Sequence, residues 1–115
     1  MRIVPDVLEP DFEYRKLRVS GFMPLSVDML WREADCLTIA LAHNYKHPSG
    51  DLIADPDMEI AVFPQLKQAE ALSYQDTFGY RRVYPREGKV DLAAKRDLNV
   101  FLNQWLANLI QQGHR

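Results

Sequence analysis

The chain has a single cysteine, Cys36, five scattered glycines and no apolar run approaching the length of a membrane span. One thiol can form neither an internal disulfide nor a multi-thiolate metal site, which points to a reducing, cytoplasmic compartment. A spanning helix needs about 18 to 20 consecutive apolar residues. The stretch "MRIVPDVLEP" has acids and prolines where a secretory signal carries its apolar segment. The glycines, at 21, 50, 79, 88 and 113, are isolated, so there is no G-x-G-x-x-G and no P-loop, and G-x-S-x-G is absent too. Nor is there an excess of positive charge: the net charge of -2 argues against bulk attraction to DNA.

What is present suits one folded domain. The chain has 115 residues, 47% hydrophobic and 26% charged, the balance of a globular protein rather than a disordered one. Residues 1–10, with Pro5 and Pro10, form an N-terminal arm, and 11–115 form the domain. Charge is uneven along it: residues 1–59 carry 11 acids and 6 bases, residues 60–115 carry 5 acids and 8 bases. Such polarity favours self-complementary association as readily as a nucleic-acid partner.

Hydrophobic periodicity gives the elements. "DFEYRKLRV" (11–19) fits a short helix or a strand equally well, because Gly21 and Pro24 interrupt it early. "LSVDMLW" places Leu25, Val27, Met29 and Trp31 on one face of a strand, and "READ" turns the chain. "CLTIALAH" sets Leu37, Ile39 and Leu41 against Cys36, Thr38, Ala40 and Ala42, with Cys36 a small buried hydrophobe. A polar connection over 44–56 leads to "DMEIAVF", with Met58, Ile60 and Val62 inward and Pro64 closing the strand. "QAEALSY" and "YRRVYP" complete the set. In the last segment Leu98, Phe101, Leu102, Trp105, Leu106 and Leu109 recur at helical spacing, with Asp91 as cap and Gly113 as stop. The expected class is α+β: an antiparallel β-meander of four to five strands with a C-terminal α-helix packed on one face.

"SGFMPL", "LAHNYKHPSGDLIADPDMEI", "YQDTFGYRRVY" and "LNVFLNQWLANLIQQGH" resemble the YqiB-like families of small bacterial proteins, which have relatives in phages and mobile elements. The likeness spans about 12–114 and is most specific in "GDLIADPDMEI". These are families of unknown function, so the resemblance implies no catalytic or binding residues. Many relatives read Tyr-Tyr-Glu-Gln-Asn before the Gly-Asp pair, where this chain has Asn44, Tyr45, Lys46, His47, Pro48 and Ser49. His47 is therefore a poor candidate for a shared ligand.

Chemistry concentrates in two places. The first is 43–59, where His43, Tyr45 and His47 precede Asp51, Asp55, Asp57 and Glu59. Histidines four apart share one helix face, but Pro48, Ser49 and Gly50 oppose a helix. An EF-hand starting at Asp55 would put Ile60 at the glycine position and Leu66 at the glutamate position. If the strands pair regularly, His43 points to the core and Asp57 and Glu59 point away. A structural turn or recognition loop is thus preferred to a metal centre. The second place is 78–96, where Phe78, Tyr80 and Tyr84 interleave with Arg81, Arg82, Arg86, Lys89, Lys95 and Arg96. Such a strip can stack bases and hold phosphates, or its tyrosines can simply pack and its arginines pair with acids.

The expected function is recognition, assembly or regulation without catalysis, by a homodimer that buries a sheet face or edge. The expected binding residues are His43, Tyr45, Asp51, Asp55, Asp57, Tyr80, Arg82 and Tyr84. No cofactor, metal or membrane contact is expected; an unknown protein partner fits the same reading. The alternatives are a small metal-dependent hydrolase using the His43, Asp51, Asp55 and Asp57 loop, and a single-stranded nucleic-acid binder through the 78–96 Tyr/Arg strip, which includes Tyr80, Arg82 and Tyr84.

Overall fold

The computed structural model describes residues 13–17, 24–46, 48–50, 52–76 and 78–112, apart from the side chains at 15, 17, 44–46 and 52–55. Six strands follow in chain order: β1 (Tyr14–Leu17), β2 (Leu25–Arg32), β3 (Leu37–Lys46), β4 (Leu52–Phe63), β5 (Gln68–Asp76) and β6 (Gly79–Arg82). They lie side by side in that order, each antiparallel to the next. One helix, α1 (Leu92–Gln112), comes last. The expected meander and its C-terminal helix are present. The sixth strand is the segment that could be drawn either way: Tyr14–Leu17 pairs with Leu25–Asp28 as β1. The N-terminal arm, Gly113 and His114 lie outside the described residues.

Alternation gives the sheet a helix-facing side of Leu25, Val27, Ile39, Leu41, Met58, Ile60, Val62 and Ala71. On α1, Ala94, Leu98, Leu102, Trp105 and Leu109 are buried against it, and Phe101, Leu106 and Ile110 pack at the margin. Each leucine side chain among them contributes about 1.5 to 3 kcal/mol on full burial. The helix begins where Asp91 Oδ1 accepts the Ala94 N–H at 2.9 Å, which satisfies one of the free donors of the first turn. Asn99 ties the layers together, since its Oδ1 accepts the Ala71 N–H at 2.9 Å. No helix among the described residues is long and apolar enough to cross a membrane.

Irregularities in three ladders depart from the simple two-residue alternation. Between Met29 and Trp31 the β2–β3 register shifts, so Leu30 is extra and Trp31 opposite Thr38 turns to the face away from the helix. Trp31 is consequently 63% exposed rather than part of the core. Between β3 and β4 the pairing jumps from Ala42↔Asp57 to Asn44↔Ala54, leaving Asp55 and Pro56 opposite His43 alone. A proline has no N–H to donate, and a bulge is where a ladder needs none. The hairpin therefore continues past Pro56, and the expected 44–56 connection is mostly strand, with Tyr45 opposite Ile53 and Lys46 opposite Leu52. A third shift makes Leu72 the extra residue on β5. Cys36 is also misplaced by simple alternation. It is half-buried and closes the turn before β3, where its carbonyl accepts the Glu33 N–H at 2.8 Å.

Candidate functional site

The histidine and the acids of the 43–59 stretch are separated by the sheet itself. His43 pairs with Leu25 on the helix side, and its ring lies 5.4 Å from the Trp105 ring at 51°. Trp105 continues into an aromatic row, with Phe101 at 5.8 Å and Tyr74 at 5.2 Å from Phe101. Asp57 and Glu59 sit opposite Ala42 and Ala40 on the other face. Residues of opposite parity on one layer cannot close on one ion. Among the described residues, no group of three or more His, Cys, Asp and Glu is placed to hold a metal ion. Tyr45 and Asp55 lie on β3 and β4, with side chains outside the description; Asp51 and His47 lie outside the described residues.

Two cross-strand rows cross the face away from α1 beside a third of Trp31, Thr38 and Ala61. One runs Tyr14, Asp28, Ala40, Glu59, Ser73, Arg82; the next runs Lys16, Ser26, Ala42, Asp57, Gln75, Tyr80. No described element covers them. Their centre is small and low, with Ser26, Ala42 and Ser73 buried between taller neighbours. Their margins are aromatic and exposed: Tyr14 at 56% on one side and Tyr80 at 53% on the other. Three carboxylates share the middle. Burial, then Glu59 and Asp28, pushes the Asp57 carboxyl above its ordinary value. Burial raises Asp28 as well. Among the described residues, no cation is a cause of either shift, so these acids are held close to one another.

Alternation also divides the Tyr/Arg strip. Tyr80 and Arg82 point to the open face, opposite Gln75 and Ser73. Arg81 pairs with Tyr74 on the helix side and meets Asp97 on α1 at 3.5 Å. Arg96 reaches the same carboxylate at 3.2 Å, and Lys95 lies 3.6 Å from Glu70. These contacts hold Asp97 below the ordinary carboxyl range, chiefly through the Arg96 hydrogen bond. Tyr84 is turned aside: its hydroxyl donates to Glu70 Oε1 at 2.6 Å, which raises the phenol. Half of the six bases are thus engaged by acids.

The other three, Arg82, Arg86 and Lys89, make no ion pair with the described residues. They surround a shallow hollow of about 580 Å³, shared with Tyr84, Pro85, Glu87, Gly88 and Val90. The loop behind it is closed at its neck by the Asp91 N–H donating to the Val83 carbonyl at 2.7 Å. Val83 itself is fully buried. Gly88 turns the loop at φ +76, a conformation side-chain-bearing residues adopt at a cost.

A second hollow, of about 600 Å³, lies at the opposite sheet edge between Glu13, Tyr14, Asp28, Met29, Leu30 and Trp31. Sequence reasoning assigned none of these to a site, because only the Leu30 bulge brings Trp31 to Tyr14's face and nothing in the period announces it. The Trp31 Nε1–H donates to Glu33 Oε1 at 3.1 Å, leaving the ring face open.

No curated protein matches the chain, and no solved structure matches it. A family model does match, over residues 2–115, and with nearly the whole chain covered the protein belongs to that family: DUF6908, a domain of unknown function.

Proposed function

We propose that this domain is a cytoplasmic recognition and assembly module without catalytic chemistry, and that it meets a protein partner through the sheet face turned away from α1. The one-sided cover supports this reading above all. Among the described residues, six strands carry one α-helix on one face, while the other presents small residues between exposed Tyr14 and Tyr80. Aromatic margins around a low centre suit a protein surface, since Tyr supplies contact area at small entropic cost. Kinship with the YqiB-like families and their phage and mobile-element relatives belongs to the same proposal and rests on the segments quoted above. The test is site-specific photo-crosslinking in cells, with a benzophenone side chain at Tyr80 or at Val100, which is 63% exposed on the helix. Adducts from position 80 alone, identified by mass spectrometry, are expected. Adducts from position 100 alone would overturn the choice of face.

A second reading is supported by the Val83–Asp91 loop, where three bases that make no ion pair with the described residues gather with Tyr84 at one hollow. In it the loop holds the backbone of a single-stranded nucleic acid. Labelled oligothymidylate titrated at two salt concentrations tests it: binding that weakens with salt is expected, and no binding at low salt defeats it.

A further inference from the structure

We infer that the partner meets the open sheet face with an arginine-bearing segment, one guanidinium seated in the hollow between Tyr14 and Trp31 and a second over Asp57 and Glu59. The inference rests on that face being the working surface, and adds the chemistry of what it recognises. Three carboxylates, Asp28, Asp57 and Glu59, stand on the face. The cations of the two rows, Lys16 and Arg82, belong to the outermost strands, and neither is a cause of the shifts at Asp28 and Asp57. Burial already raises both carboxyls, so covering them without positive charge costs more still. A second copy centred on this face would bring its own Asp57 and Glu59 to the same place. The occupant is therefore a chain of opposite charge.

The hollow of about 600 Å³ at the β1–β2 edge supplies the first position. Asp28 pairs with Tyr14, and the extra residue Leu30 brings Trp31 to the same face, so two rings and a carboxylate line one space. Glu33 Oε1 already takes the Trp31 indole N–H at 3.1 Å, which leaves the π face as what this side chain offers. Arg32 lines the hollow too, but alternates to the other side of the strand, opposite Leu37. A guanidinium suits such a place, because it stacks flat on an aromatic ring while its edge donates two parallel hydrogen bonds to a carboxylate, a geometry an ammonium lacks.

Spacing makes the occupant a chain rather than an ion. Asp28 and Glu59 share a row, two strand spacings or roughly 10 Å apart, with Ala40 between them. Asp57 stands two residues, or roughly 7 Å, along β4 from Glu59. Among the described residues these acids converge on no common metal position. Buried Ser26 and Ala42 keep the floor beside them low, with room for long side chains above it. A polyproline II segment returns to the same side every third residue, roughly 9 Å on. Arg-x-x-Arg in that conformation therefore presents one guanidinium to the hollow and the next to the β4 acids.

The test titrates the peptide Gly-Arg-Pro-Pro-Arg-Gly, blocked at both ends, into the isotope-labelled full chain and follows it by NMR. Saturable shifts are expected at the Trp31 indole N–H and at the amides of Tyr14, Asp28 and Glu59, with Val100 on α1 unmoved. Replacing both arginines by citrulline, which keeps the shape and removes the charge, should weaken binding at least about tenfold, as should Asp28→Asn or Trp31→Ala. Glu87→Gln, which removes a negative charge away from the face, should change it less than about twofold. Circular dichroism confirms that each variant is folded, and the citrulline comparison decides alone if one is not. Absence of saturable shifts, shifts centred elsewhere or equal affinity for the citrulline peptide overturns the inference. Equal loss with Glu87→Gln also overturns it, because bulk charge would then be the cause. Crosslinking at position 80 does not depend on the partner's charge, so a failed titration beside adducts there would discard the arginine and keep the face.

Discussion

Asp57 is the residue whose surroundings work most clearly against it. Its carboxyl is half-buried and has Glu59 and Asp28 as its nearest charged influences, all three effects raising it above the ordinary 3.8. A folded-state value above the unfolded one means the native protein binds that proton more tightly. The contribution to stability is therefore complete below the unfolded value and lost as pH rises through the folded one. Asp57→Asn should stabilise the protein at pH 7 by about 0.2 to 1 kcal/mol, the usual cost of adjacent like charges on a sheet. At pH 3 the advantage should vanish. Urea unfolding at the two pH values checks this, and an equal effect at both would show that charge is not the cause. Asp76 behaves in the opposite way. It accepts hydrogen bonds from the Phe78 N–H at 2.8 Å, the Tyr74 hydroxyl at 2.9 Å and the Gly79 N–H at 3.0 Å. These hold it below the ordinary range, the Phe78 bond most of all, so its support for the β5–β6 turn is present at neutral pH and lost in acid.

At the level of elements, α1 is where sequence pattern and structure agree most fully. Leu98, Leu102, Trp105 and Leu109 form the buried stripe that their spacing announces, with Phe101 and Leu106 beside it. Ala94 and the marginal Ile110 escaped notice, Ala94 because an alanine adds little to a hydrophobic pattern. Leu102→Ala should cost about 2 to 5 kcal/mol, the range for a core leucine, whereas Val100→Ala on the exposed face should change stability by less than about 0.5 kcal/mol. Chemical denaturation of both variants tests the assignment, and similar losses would contradict it. The strands were legible in type but not in extent. Polar residues and Pro56 made 44–56 resemble a loop, since a one-sequence pattern carries no sign of the bulge opposite His43 that lets the ladder pass a proline. Trp31 was drawn inward for the same reason: one extra residue at Leu30 reverses every later side chain on that strand. The opposing faces of His43 and Asp57 were legible because alternation runs unbroken from Leu37 to Ala42 and from Asp57 to Val62, where no bulge intervenes.

Across the whole molecule, the charge imbalance between the two halves of the chain becomes a spatial one. The acids Asp28, Asp57 and Glu59 lie mid-sheet, and Arg82, Arg86 and Lys89, which make no ion pair with the described residues, gather at the β6 margin. How much of the candidate site could be read beforehand follows from this. The 78–96 strip was recognisable as basic and aromatic, but which bases remain available depends on Asp97 and Glu70, which only the fold brings near. Within this strip, three cations make no ion pair with the described residues, and they set the salt dependence expected of the loop. The logarithmic salt dependence of single-strand binding should have a slope of about -2, or about a 20-fold loss between 50 and 200 mM. A slope much steeper than this would require phosphate contacts elsewhere on the surface.

The helix that covers the core follows all six strands in the chain. During synthesis the apolar side of the sheet is thus made before its lid, and a ribosome stalled ahead of Leu92 would hold a layer with greasy side chains on display. Closing α1 over that layer turns an adhesive sheet into a covered one, so a chain cut just before Leu92 would keep its strands and lose the cover of its core.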